Sequence, residues 1–112
     1  MERERELDSP VEEVWDAIVD DERLGEWFGA DELALDVEPG GIGRFVFGDE
    51  LRFARVDEVE EHTRLGLTWW PAAGDGAASR VTIELSPAPG RGTRIRVVET
   101  RLSVARPLAM AA

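Results

Sequence analysis

The chain has 112 residues, enough for one packed domain and too few for two. Its 24 acidic and 13 basic residues leave a net charge of −11, which argues against nucleic acid or an anionic membrane as partner, since either needs a clustered positive surface. There is no cysteine, hence no disulfide framework, thiol nucleophile or cysteine metal site, and no apolar run approaches the roughly 18 residues of a transmembrane helix.

Every basic residue is Arg, and Lys, Asn, Gln and Tyr are absent. That bias points to a GC-rich bacterial genome, with a halophilic source as the alternative. The start, Met1-Glu-Arg-Glu-Arg-Glu6, alternates charges and lacks the apolar centre of a signal peptide, so a cytoplasmic location is expected.

Residues 2–8 read as a short, highly charged first strand with Leu7 as its main apolar contact. Ser9 is expected as a helix N-cap, with Pro10 at the first helical position and Glu12 completing a capping box. Val11, Val14, Trp15 and Ile18 then follow at the spacing of one buried helix face. Asp20-Asp21 caps a second short helix in which Leu24, Trp27 and Phe28 share a face, and Gly29 stops it. From Leu33 the period becomes strand-like: Leu33, Leu35 and Val37 alternate with polar residues, and Pro39-Gly40-Gly41 turns the chain. Segments 44–47, 51–56 and 65–69 read as three further strands, with turns at Gly48-Asp49 and 60–63. Residues 71–78 read as a mobile loop, and segments 81–85 and 93–97 as a last hairpin.

The order β-α-α followed by six strands, joined by short turns, predicts an α+β fold with an antiparallel sheet. One short helix pair cannot cover so large a sheet, so something else must lie over its inner face. The tail, 103–112, has room only to begin a helix.

The motifs Ser9-Pro10-x-x-x-Val14-Trp15, Leu24-x-x-Trp27-Phe28, Pro39-Gly40-Gly41 and Arg64-Leu-Gly-Leu-Thr-Trp69 occur in an order and spacing that resembles the START-like (SRPBCC, helix-grip) superfamily. Segments 81–85 and 92–100 look like that family's last two strands. Within it the chain is most similar to the small bacterial proteins named after the activator of heat-shock-protein-90 ATPase, over residues 2–102. The resemblance implies a single START-like domain, 1–112, with a curved antiparallel sheet around a long C-terminal helix and a cavity between them. Here that helix is expected to be truncated or absent, with 103–112 as its possible start. An uncovered inner face would favour a homodimer, domain exchange or low stability.

For function, the resemblance implies a non-enzymatic domain that binds a small hydrophobic molecule in the cavity, without a cofactor. The alternatives are a polyketide cyclase-like or hydrolase-like enzyme and a chaperone-activator-like interaction module. No catalytic constellation stands out among the residues. His62 sits in an acidic turn and reads as solvated, and no zinc-like spacing accompanies it. The adjacent carboxylate pairs read as solvated surface, because sequence neighbours diverge on a helix or a strand. Alternation from Ile95 and Val97 places Glu99 on the inner face, where it could bind a polar ligand group or shuttle a proton; the competing reading pairs it with an arginine such as Arg101. Trp69 is expected inside and Trp70 outside by alternation from Leu65 and Leu67. Trp27 and Phe28 are candidates for the cavity mouth, and Phe45 and Phe53 for its sheet wall. An inward arginine such as Arg55 could orient a ligand. The expected ligand-binding set is therefore Trp27, Phe28, Phe45, Phe53, Trp69 and Glu99, with no metal site.

Overall fold

In the computed structural model, which describes residues 2–73 and 77–102, the elements follow the expected order. They are β1 (Glu2–Leu7), α1 (Val11–Ile18), α2 (Asp21–Phe28), β2 (Glu32–Leu35), β3 (Ile42–Phe47), β4 (Glu50–Glu60), β5 (Arg64–Pro71), β6 (Ser79–Pro87) and β7 (Thr93–Arg101). All strand pairs are antiparallel, in the spatial order β1-β7-β6-β5-β4-β3-β2. Consecutive hairpins build β2 to β7, and β1 closes on β7, leaving β1 and β2 as the edges. The expected start of a C-terminal helix, 103–112, and part of the expected 71–78 loop lie outside the described residues.

Helix α1 begins one residue later than expected. Pro10, not Ser9, holds the N-cap position with extended backbone (φ −70°, ψ 159°), and no side-chain cap bond forms. The Ser9 carbonyl is instead tied to β7, accepting from Thr93 Oγ1 at 2.7 Å. The Pro10 carbonyl accepts from the amides of Glu13 and Val14, so the capping box gives way to a strand-to-helix clamp. Val14, Trp15 and Ile18 are buried, as their spacing predicts. Helix α2 is capped as expected: Asp20 Oδ1 accepts from the amides of Glu22 (3.0 Å) and Arg23 (3.4 Å), and Gly29 closes it in the left-handed region at φ 76°.

Which residues face the helices follows from strand register. On β3 to β5, Phe45 pairs with Arg52 and Ala54 with Trp69, so these four share the inner face. The phase of β4 then changes. A bulge lies between Val56 and Glu58, so Val56 and Val59 both point inward although they are an odd number of positions, three, apart. The extra residue, Asp57, is bonded on the outer side by Thr68 Oγ1 (2.6 Å) and Arg55 Nε (3.1 Å).

The core joins Val14, Trp15, Ile18 and Leu24 of the helices to the inner faces of β2 to β7, with Phe45, Leu65 and Leu67 fully enclosed. Helix α2 approaches β2 through Gly25, where an added Cβ would stand 3.0 Å from the Leu33 Cβ. Gly25→Val is expected to destabilise the fold by about 1–3 kcal/mol through overpacking, and denaturant titration should show it. Gly25→Ala should cost far less, because higher helix propensity offsets the tight contact.

The opposite face at the β1 end is polar. A cross-strand ladder runs Glu2–Arg96–Glu84–Arg64–Glu58, with a side pair Arg94–Glu6. The guanidinium of Arg96 bonds and attracts Glu2, holding its carboxyl below the ordinary range, while Glu2 and Glu6 raise Arg96 and Arg94 respectively. These pairs are exposed, so each contributes little to stability.

A candidate binding groove on the inner sheet face

The inner face near β1 and β7 is where the two helices leave the sheet uncovered. Its wall is an aromatic cluster whose members come from three separate elements. Trp69 of β5 stands nearly perpendicular to Phe45 of β3, with centroids 5.1 Å apart, and meets Phe28 of α2 at 5.6 Å. Phe28 in turn contacts Phe45 at 5.5 Å and Trp27 at 5.3 Å, all within the range of favourable edge-to-face pairs. The back of the cluster is closed by Arg52, whose guanidinium lies 4.6 Å from the Trp69 ring centre and is bonded to Glu50. Glu99 fixes the other edge of Trp69, its Oε2 accepting from the indole Nε1 at 3.1 Å.

Two hollows flank Trp27. One, of about 380 Å³, is lined by Trp27, Phe28, Trp69, Val97, Glu99 and the β1 arginines, among others. The second, of about 420 Å³, runs between the helices and Leu7 and Ile95. Ile95 and Trp27 border both, so the two hollows lie side by side along one groove with Trp27 between them. The second hollow is mainly apolar, while the first joins its aromatic wall to four charged residues, Arg3, Glu4, Arg5 and Glu99.

Trp27, Phe28, Trp69 and Glu99 therefore stand together around the first hollow. Phe45 is 0% exposed and acts as the floor beneath Phe28 and Trp69 rather than as lining. Phe53 is a correction. It pairs with Arg44 and Trp70 on the opposite face, is 38% exposed and contacts the Trp70 ring. Arg55 faces outward with it and bonds Asp57, so the inward arginine of β4 is Arg52. Glu99 accepts a hydrogen bond from the Trp69 indole.

Two groups escaped the sequence reading. Arg3 and Arg5 face the groove, across from Val97 and Ile95. Alternation backwards from Leu7 carries that information, because residues 3, 5 and 7 must share a face. His62 is exposed as expected, but its backbone is left-handed (φ 65°) and its ring meets buried Trp15 edge-on at 6.3 Å.

Among the described residues no group of three or more His, Asp or Glu side chains is placed to hold a metal ion. No helix among them is long and apolar enough to cross a membrane. Away from the groove, Asp36 bonds and repels Glu38, raising the Glu38 carboxyl above its ordinary value. A raised carboxyl favours the native state at acid pH and loses that contribution as pH rises through its folded pKa. Glu38→Gln should therefore raise Tm slightly at neutral pH and leave it unchanged near pH 3, read from melting curves across that range.

A curved antiparallel sheet folded over two short helices, with a groove on its inner face, defines the helix-grip class of START-like α+β proteins. Residues 8–112 match the family described as Activator of Hsp90 ATPase homolog 1-like protein, and the chain belongs to that family. Among solved structures it is similar to DynU16, a protein of the dynemicin biosynthetic locus, with TM-score 0.77 and 27% identity over 96% of this chain. The chain spans 39% of DynU16. MLL2253 from Mesorhizobium loti aligns at TM-score 0.80 and 24% identity, covering 99% of this chain and 82% of that one. PFC0360w, an HSP90 activator from Plasmodium falciparum, aligns at TM-score 0.74 and 16% identity, covering 96% and 76%. The last two show the shared fold alone. No curated protein matches the sequence significantly.

Proposed function

We propose that this chain is a single-domain cytoplasmic protein that binds a small hydrophobic molecule in the inner-face groove, without a cofactor. The observation that carries the reading is the preformed aromatic wall, Trp27, Phe28 and Trp69, beside two adjoining hollows of about 380 and 420 Å³. Such volumes suit a molecule of drug-like size. Phe45 supports the wall from behind, and Glu99 orients Trp69.

A second reading is catalytic, of the cyclase or hydrolase kind. It is favoured by one observation, the Glu99 carboxylate beside the aromatic wall of the first hollow. In that case Glu99→Gln abolishes turnover of an aromatic polyketide substrate; unchanged turnover removes the role. An interaction module of the chaperone-activator kind draws only on the shared fold.

Native mass spectrometry of the purified protein, followed by a denaturing run, tests binding. A small mass retained natively and lost on denaturation is the expected result. A doubled chain mass with no small molecule would instead make a second copy the cover of the groove, and would overturn the ligand reading.

A further inference from the structure

We propose that the groove selects an apolar molecule carrying an anionic group, a carboxylate, sulfonate or phosphate, with the anion held by Arg3 and Arg5. The inference rests on the hydrophobic-ligand reading above and adds the chemical class of the ligand. Strand β1 alternates Glu and Arg, which places the two arginines on one face and Glu2, Glu4 and Glu6 on the other. Glu2 and Glu6 lie on the outer face, where Arg96 (2.7 Å) and Arg94 (2.8 Å) neutralise them. Arg3 and Arg5 point the other way, beside Val97 and Ile95, and neither enters an ion pair among the described residues.

A guanidinium cannot shed its proton at neutral pH, and its fork of N–H donors matches the oxygens of an anionic group. Two residues apart on one strand face, Arg3 and Arg5 stand roughly 7 Å from each other at the backbone, close enough for both side chains to reach one anion. Trp27, Phe28 and Trp69 face the same hollow and would take the apolar body. Glu4 and Glu99 border the same hollow; alternation along β1 turns Glu4 to the face of Glu2 and Glu6, and one oxygen of Glu99 accepts from the Trp69 indole. In a chain of charge −11, Arg3 and Arg5 set two cations beside this wall, enough to offset the two carboxylates, Glu4 and Glu99, that border the same hollow. Inward charges on an edge strand can also serve only to block edge pairing, in which case they would govern self-association and not ligand choice.

Two fluorescent dyes that differ only by a sulfonate separate these cases: 1-anilinonaphthalene-8-sulfonate and neutral N-phenyl-1-naphthylamine. The wild-type protein is expected to bind the sulfonate about tenfold more tightly at low salt, an advantage that shrinks as salt screens the pair. The double variant Arg3→Gln/Arg5→Gln should lose that tenfold and keep its affinity for the neutral dye within about twofold. The single variants R3Q and R5Q carry the same comparison if the double variant does not fold. Equal affinities in the wild type, equal weakening of both dyes, or a change confined to sedimentation would each overturn the anion preference and leave the groove reading standing. Failure of both dyes to bind would overturn the groove reading itself.

Discussion

Truncating Phe45 to alanine is expected to lower the unfolding free energy by about 3–5 kcal/mol, more than any other single change considered for this chain. Phe45 is 0% exposed, and its ring touches Phe28, Phe47 and Trp69, so its loss leaves a hole that no one neighbour can fill. Collapse is resisted on every side. Trp69 is held by Glu99 and Arg52, and Phe28 is fixed by the short helix α2. Domains of this size are stable by only about 5–15 kcal/mol, so the variant should melt far earlier or be partly unfolded. Urea titration reads the loss directly, and Phe45→Leu should recover most of it. A loss below about 1 kcal/mol would mean that the cluster is loosely packed and the groove wall not preformed.

The physics of that cluster also explains what was legible in the sequence. Helix faces were readable because period 3.6 has one solution in each short segment: Val14, Trp15 and Ile18 are buried, and Leu24 is buried against them. Strand membership was readable too, since alternation survives in β2, β5, β6 and β7. The phase of β4 was not. Leu51 and Phe53 lie on one face and Ala54 and Val56 on the other, so apolar residues occupy both, and only the pairing of Ala54 with Trp69 decides between them. Phe53 went outward for that reason. The inner place opposite Phe45 went to Arg52, whose stem and guanidinium cover aromatic rings. The Asp57 bulge is equally silent in sequence, because its function is to shift register by one residue. The helix start differed for a long-range reason: Thr93, 84 residues away, takes up the Ser9 carbonyl. Arg3 and Arg5 lost their signal to composition, since a strand of alternating charges reads as surface on both faces until Leu7 sets its phase.

The groove makes its own demand on Trp27, and here the expected effect falls on binding more than on folding. Trp27 is half-buried, contacts Phe28 and borders both hollows, so it is the wall between them. Trp27→Ala should merge them into one open trough and remove the largest rigid surface available to an apolar ligand. Central aromatic anchors of this kind lose about 2 kcal/mol or more on truncation, a fall of about 30-fold in affinity. The neutral naphthylamine dye is the suitable reporter, because it depends on the apolar wall and not on Arg3 or Arg5. Stability should fall by less than in Phe45→Ala, since part of the Trp27 ring already meets water, and Trp27→Phe should restore much of the binding. Weakened binding in a cooperatively folded Trp27→Ala protein would tie recognition to the aromatic wall. An affinity within about threefold of wild type, with the fold intact, would move the ligand away from both hollows and leave the cluster with a purely structural role.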